Sequence, residues 1–289
     1  MAEAYAQVGV IGGSGLYQME GLTDVAEVRP ETPFGAPSDA IVLGTLAGVR
    51  VAFLPRHGRG HRLPPSEVPA RANVWALKAL GVERVVSVSA VGSLQEEFRP
   101  LDLVVPDQLI DRTKGRPSTF FGEGLVAHVA FAEPFCPELS GALGEAARAA
   151  GATVHRGGTC VVIEGPAFST RAESHLYRSW GAHIIGMTAL PEAKLAREAE
   201  LCYATLACVT DYDCWRDATE AVTVGLVVQN LQRNVATAQE VLRHLLPALP
   251  RERRCPCPHA LRDAIVTQRD AISPEVRERL ALLVGKYVH

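Results

Sequence analysis

Two carboxylates, Asp211 and Asp213, stand in the segment Thr210-Asp211-Tyr212-Asp213-Cys214-Trp215. They follow Leu201–Val209 (LCYATLACV), a run of small and β-branched apolar residues that reads as a buried strand. At that spacing both side chains leave a pleated strand on the same side. In an open α/β sheet, strand ends are where ligands sit. Burial and a nearby like charge both raise a carboxyl pKa, toward general acid chemistry near neutral pH. A solvated loop with an Asx turn would use the same residues, so the weight rests on what else the chain carries.

Five other segments end strand-like runs with residues suited to ligands. Gly9-Val10-Ile11-Gly12-Gly13-Ser14-Gly15 is a glycine-rich loop whose backbone N–H groups and Ser14 hydroxyl can cradle an anion. It also fits a loose dinucleotide-binding fingerprint. That motif needs a long helix next, whereas Leu16–Glu20 is cut by Gly21 and loop sequence follows at Thr32-Pro33-Phe34-Gly35. Arg56-His57 closes the run ending at Pro55 and offers a charged planar fork, or simply a basic surface turn. Ser89-Ala90-Val91-Gly92-Ser93 brings small residues that admit a ligand or allow close sheet packing. Ile163–Arg171 carries Phe168, either a stacking face for a base or a core residue, and Ser169. Met187-Thr188 ends a further strand, with Met187 able to line a sugar or to fill core.

These groups need an alternating α/β framework to hold them, and the chain supplies one. Strands are expected at Val8–Ile11, Ile41–Leu46, Val49–Leu54, Arg84–Ala90, Leu103–Ile110, Thr159–Glu164, His183–Met187 and Leu201–Val209. Ala47-Gly48 makes a hairpin of the second and third. Helices are expected at Ser66–Leu80 (Ser66 as cap), Pro137–Ala150, Arg171–Trp180, Ala189–Glu200, Glu220–Leu246 and Pro274–Lys286. Pro247–Pro258 reads as a surface linker. The expectation is one domain over residues 1–289, with a helical extension from about 247.

Composition narrows the function class. Of 289 residues, 47% are apolar and 21% charged, with net charge −3. No long basic run provides a nucleic-acid footprint, and no apolar stretch is long enough to span a membrane. No basic, apolar leader precedes the first strand, so a cytoplasmic location is expected. Of seven cysteines none form CxxC pairs, which argues against a zinc ribbon, and Cys255-Pro256-Cys257 is an unusual C-x-C.

The ordered series GGSG, TPFGAPSDA, RHGRGH, NVWALKALG, SAVGSL, DLVVPDQLIDRT, AEPFCP, IEGPAFSTRAES, GMTALPEAKLAREAELCYA and TDYDCW closely resembles the 5′-methylthioadenosine phosphorylases. These belong to the purine nucleoside phosphorylase family. The likeness spans roughly residues 7–245, and the C-terminal region resembles archaeal members with a C-x-C. It implies a single-domain, three-layer α/β/α sandwich around a large mixed sheet, and reversible phosphorolysis of 5′-methylthioadenosine to adenine and 5-methylthioribose 1-phosphate. By matching motif positions, phosphate falls to Ser14, Arg56, His57, Ser89, Ala90 and Thr188. The purine falls to Phe168, Ser169, Asp211 and Asp213. Met187 packs on the ribose, and Val224 and Val227 line the 5′-methylthio pocket. His128 comes from a neighbouring subunit, in a trimer or dimer of trimers.

The resemblance calls for no metal or organic cofactor, since phosphate is a co-substrate. Gly186 stands where human-like members have asparagine, which leaves the 5′ preference less firmly implied than the 6-aminopurine preference. By likeness to disulfide-bearing members, Cys136–Cys202 and Cys255–Cys257 are the candidate bridges, against seven free thiols. The alternatives are a broader purine nucleoside phosphorylase acting on adenosine or 6-oxopurine nucleosides, a nicotinamide-dependent oxidoreductase on the Gly9–Gly15 loop, and an inactive nucleoside-binding protein.

Overall fold

The computed structural model describes residues 5–216 and 224–288; within these, for Ser14, 224, 226–228 and 231 it describes the backbone only. The architecture is built on a mixed sheet of eleven strands. These are β1 (Val8–Gly12), β2 (Thr23–Val28), β3 (Ile41–Leu46), β4 (Val49–Pro55), β5 (Arg84–Ser93), β6 (Leu103–Val105), β7 (Gln108–Arg112), β8 (Val154–Arg156), β9 (Thr159–Ile163), β10 (Ile184–Gly186) and β11 (Cys202–Tyr212). The main path runs β2-β3-β4-β1-β5-β10-β9-β7, and β11 branches from β5 toward β6 and β8. β1, β4, β5 and β11 run parallel, so their C-terminal ends lie along one edge.

Side chains alternating along the central strands feed two cores. From β11, Cys202, Ala204, Leu206 and Cys208 face one side, and Tyr203, Ala207 and Val209 the other. On the first side lie α2 (Pro137–Ala149) and α5 (Val224–Ala248), which bury Leu139, Leu143, Ala238, Leu242 and Leu245. On the second lie α1 (Ala70–Ala79) and α4 (Ala189–Glu198), with Val74, Leu77, Ala193 and Leu195. The result is the expected three-layer sandwich. Helix α3 (Arg171–Ser179) begins with a capping box, in which the Thr170 hydroxyl accepts from Glu173 N–H and the Glu173 carboxylate accepts from Thr170 N–H. The C-terminal α6 (Pro274–Arg279) and α7 (Ala281–Val284) bury Val276, Leu280, Leu283 and Val284 in the α1/α4 core. No helix among the described residues is long and apolar enough to cross a membrane.

Prolines account for two departures from the sequence expectation. The helix expected from Ser66 is a short 3-10 turn at Pro65–Glu67, and α1 starts only after Pro69. A proline forces the residue before it toward extended backbone, and Val68 is at φ −59°, ψ 119°. The strand expected over Leu103–Ile110 is split at Pro106, which has no N–H for a ladder. Its halves pair separately, β6 with β11 and β8, and β7 with β9. Sequence reasoning missed β2, whose exposed polar residues carry no apolar period. It also missed the three-residue β8. Glu220, the expected start of the long helix, lies outside the described residues.

Candidate active site

The parallel strand ends gather the predicted residues. Gly12 ends β1, Arg56 follows β4, Ser89–Ser93 complete β5, and Asp211 lies at the end of β11. β10 runs antiparallel to the end of β5, with Ile185 opposite Gly92, which carries Gly186, Met187 and Thr188 back past Val91 and Ala90. A methyl group on Gly186 would stand 3.3 Å from Val91 Cγ1. Ser89, Ala90, Met187 and Thr188 are all half-buried there.

On one side of this edge lie the two carboxylates. β11 continues three residues beyond the expected strand, to Tyr212, and its register against β5 shifts between Val209 and Asp211. Such a bulge re-aims side chains, and bulges recur beside active sites. Both aspartates converge on Gly92, where an added methyl would lie 3.2 Å from Asp211 Oδ1 and 3.4 Å from Asp213 Cβ. Any larger residue at position 92 would displace them. Both are buried, at 7% and 5% exposure. Burial raises the Asp211 carboxyl to about 6, the Thr210 hydroxyl opposes this, and the Asp213 charge adds to it. Thr210 Oγ1 donates to Asp211 Oδ2 at 2.6 Å. Asp213 accepts the Ser169 hydroxyl, with Oγ 2.7 and 2.9 Å from its two oxygens. From α5, Asn230 and Asn234 donate to the carbonyls of Thr210 and Val209, fixing the backbone beneath Asp211.

Phe168 stands beside Ser169 and is 51% exposed, so the core alternative for this ring is overturned. It presents an open aromatic face. Gly165 makes a second close approach possible: an added methyl would fall 2.5 Å from Met187 Sδ, and its φ of +67° itself favours glycine. Arg116, which sequence reasoning missed, clamps the two loops together. It ion-pairs with Glu164 at 3.2 Å and donates to the carbonyls of Glu164, Met187 and Leu190.

The other side of the edge is built differently. Arg56 is 3% exposed and ion-paired with Glu192, which is 2% exposed, at 2.5 Å. Its guanidinium also donates to Ser87 Oγ at 2.6 Å, Val88 O at 3.0 Å and Ile11 O at 3.3 Å. Ser87 and Tyr203 both donate to Glu192 Oε2. Protein acceptors thus meet all three guanidinium nitrogens, and Arg56 is a fixed buried charge rather than an open fork. Glu192, Ser87 and Tyr203 carried no signal in the sequence, because they lie on three separate elements, α4, β5 and β11, and meet only in the fold. His57 Nδ1 lies 2.8 Å from Leu63 O, and the ring stacks on His61 at 4.3 Å. Burial first, then the Arg56 charge, lowers His57 to about 4. The neutral ring donates through Nδ1 to Leu63, leaving Nε2 as an acceptor.

The remaining predicted residues lie apart or outside the described atoms. His128 is exposed on a loop, its backbone N–H donating to Ala264 O at 2.8 Å. The side chains of Ser14, Val224 and Val227 lie outside the described residues. All seven cysteines are free thiols, so neither candidate bridge is formed.

The model of the family described as "Phosphorylase superfamily" matches residues 7–247. The chain belongs to the phosphorylase superfamily. An S-methyl-5′-thioadenosine phosphorylase of Geobacter sulfurreducens is 59% identical over 282 residues, covering 97% of this chain and 99% of that protein. One from Chloroflexus aurantiacus is 60% identical over 283 residues, covering 98% of each. Among solved structures, a methylthioadenosine phosphorylase from an Antarctic soil metagenomic library superposes with TM-score 0.93 at 55% identity, covering 97% of this chain and 99% of the other. A methylthioadenosine phosphorylase from Schistosoma mansoni in complex with adenine gives TM-score 0.82 at 38% identity, covering 97% and 98%. For a phosphorylase-superfamily chain, the sheet edge from Gly12 to Asp213 is the region where the expected phosphate and base residues meet, and the Gly9–Gly15 loop belongs to the phosphorylase fold rather than to a dinucleotide-binding unit.

Proposed function

We infer that this chain catalyses the reversible phosphorolysis of 5′-methylthioadenosine, giving adenine and 5-methylthioribose 1-phosphate. It is a pentosyltransferase, and its relatives at 59% and 60% identity bear that activity in their names. The structural observation that carries the reading is Asp211: a buried carboxyl raised to about 6 at the end of a parallel strand. A carboxyl in that range gives up a proton near neutral pH.

In this reading the C1′–N9 bond breaks ahead of attack, and positive charge develops on the ribose. Phosphate attacks C1′ from the side of Ser14, Arg56, His57, Ser89, Ala90 and Thr188. Negative charge accumulates on the departing purine, and protonated Asp211 delivers its proton toward N7. Asp213, oriented by Ser169, accepts from the 6-amino group. Phe168 stacks on the purine through its exposed face. An asparagine at position 211 would suit a 6-oxopurine; an aspartate suits the 6-amino group. Neutral His57 accepts a hydrogen bond from protonated phosphate through Nε2, and the buried Arg56–Glu192 pair preorganises the wall behind it. The reaction needs no metal or organic cofactor at this site, because phosphate is the second substrate.

Met187 packs against the ribose, and Val224 and Val227 offer the 5′ substituent no hydrogen-bond partner. Methylthioadenosine is therefore preferred over adenosine. His128 completes the site of a neighbouring subunit in a trimer or dimer of trimers; its exposure beside exposed Val126 and Val266 supports this assignment. We place the enzyme in the cytoplasm. Phosphate-dependent adenine release from methylthioadenosine, compared with adenosine and inosine, tests the reading. Fastest turnover of methylthioadenosine is expected, and inosine as the best substrate would overturn it.

A further inference from the structure

Four of the seven cysteines lie far apart in sequence yet meet in the fold. Cys136 caps the N-terminus of α2, Cys202 opens β11, and Cys255 and Cys257 follow α5. Their four sulfurs all lie within 4.8 Å of one another, with three of the residues buried and one half-buried. The other three cysteines show what unclustered thiols look like here. Cys160 and Cys208 are buried singly among apolar neighbours, and Cys214 bonds to Ser169 O.

We propose that Cys136, Cys202, Cys255 and Cys257 form a tetrathiolate site for a structural zinc ion. Four thiolates about 2.3 Å from zinc form a tetrahedron with edges of about 3.8 Å. The observed sulfur separations bracket that edge: Cys202 Sγ lies 3.3 Å from Cys255 Sγ, and no pair is farther apart than 4.8 Å. A set of four soft sulfur donors selects zinc or a similarly thiophilic ion over magnesium or calcium. With four protein ligands and no open position, such a site holds structure rather than performing chemistry. It is also remote from the reaction, since Cys202 and Asp211 stand at opposite ends of β11, a run of about 30 Å at strand rise.

Surrounding groups suit the bound form. Cys136 Sγ accepts the Leu139 N–H at 3.5 Å, at the start of the thirteen-residue α2, where the helix dipole favours a thiolate. The Cys136 and Cys202 backbones are fixed by bonds to Tyr203 O and Glu83 O. On binding, four S–Zn bonds form and four thiol protons pass to solvent, with no change of oxidation state.

The segment held this way packs against the His128 loop. After Cys257 the chain returns so that Ile265 bridges Ala127, and Ala264 O accepts the His128 N–H. Zinc would anchor the extension that supports the His128 loop.

The test uses the full-length protein, purified with a thiol reductant and without chelator. Metal content is measured by mass spectrometry, and zinc released by a mercurial is titrated with a chromogenic chelator. About one zinc per chain is expected, retained in Cys160→Ser and lost in the double variant Cys255→Ser/Cys257→Ser. Cobalt substitution of the wild-type protein, which needs no variant to fold, should give the visible absorption bands of a tetrahedral thiolate site. Wild-type protein that neither contains zinc nor gives the cobalt bands would overturn the proposal. So would zinc retained in the double variant, or three thiols counted under denaturing, non-reducing conditions, the number left by two disulfides.

Discussion

The two halves of the proposed site, one assigned to phosphate and one to the base, present opposite electrostatics. On the phosphate side, a buried arginine is neutralised in advance by Glu192, and every charged group there has partners before any substrate arrives. On the base side, Asp211 is buried with one hydroxyl donor and a second carboxylate close by, so its charged form is disfavoured. The first arrangement is rigid and fixes geometry. The second keeps a proton ready to leave. A site that must hold an anion on one side and protonate a leaving group on the other needs both, and the sheet edge separates them across Ser89–Gly92.

The largest effect should come from removing that proton. Asp211→Asn should lower kcat/KM for methylthioadenosine by roughly 10²–10⁴-fold, the usual scale for general acid catalysis. The same variant should be more stable than wild type above pH 6. The folded carboxyl is raised to about 6 against 3.8 unfolded, so the folded state holds its proton more tightly. Stability from this group is present below pH 3.8 and is lost as pH rises toward 6. An amide avoids that loss, and thermal melts at pH 4 and pH 8 check the sign. Equal activity of the two proteins would end the acid assignment.

Breaking the phosphate side should cost stability first. Arg56→Ala leaves Glu192 as an uncompensated buried charge, a loss of about 3–5 kcal/mol. Chemical denaturation measures it, and a loss under 1 kcal/mol would mean the pair is not buried as described. Glu192→Gln keeps the shape and should raise the phosphate KM while leaving the nucleoside KM nearly unchanged. A rise in nucleoside KM alone would instead place Glu192 with the base.

Smaller effects should follow on the base side. Ser169→Ala removes the hydroxyl that orients Asp213, and a bond to a charged group is worth about 1.5–3 kcal/mol. An approximately tenfold rise in nucleoside KM is expected from steady-state kinetics. Phe168→Ala should raise the nucleoside KM more modestly, through lost stacking. Its melting temperature should barely move, because the ring is 51% exposed. A marked fall in stability would restore Phe168 to the core.

The chain shows its parts unevenly in sequence. Continuous apolar strands and glycine-stopped helices were readable, because β3 and β5 are buried on both faces and α2 buries one. The exposed β2 gave no period to read. Both aspartates were legible from their place after LCYATLACV, but the bulge at Thr210 that turns them over Gly92 depends on pairing with β5 and has no local signature. Arg56 was visible as a basic residue after a strand. Its burial was not, since Glu192 joins it from α4, 136 residues along the chain. The cysteines make the same point: only C-x-C is a local pattern, and Cys136 and Cys202 reach it through the fold.

The pH dependence of kcat/KM for methylthioadenosine phosphorolysis, in wild type and Asp211→Asn side by side, tests the central claim most directly. Phosphate titrates in both proteins alike, so the difference between the profiles belongs to residue 211. The wild-type profile should carry a limb that falls above pH 6, where Asp211 loses its proton, and the variant should lack it. A falling limb of the same midpoint in Asp211→Asn would show that the proton comes from another group.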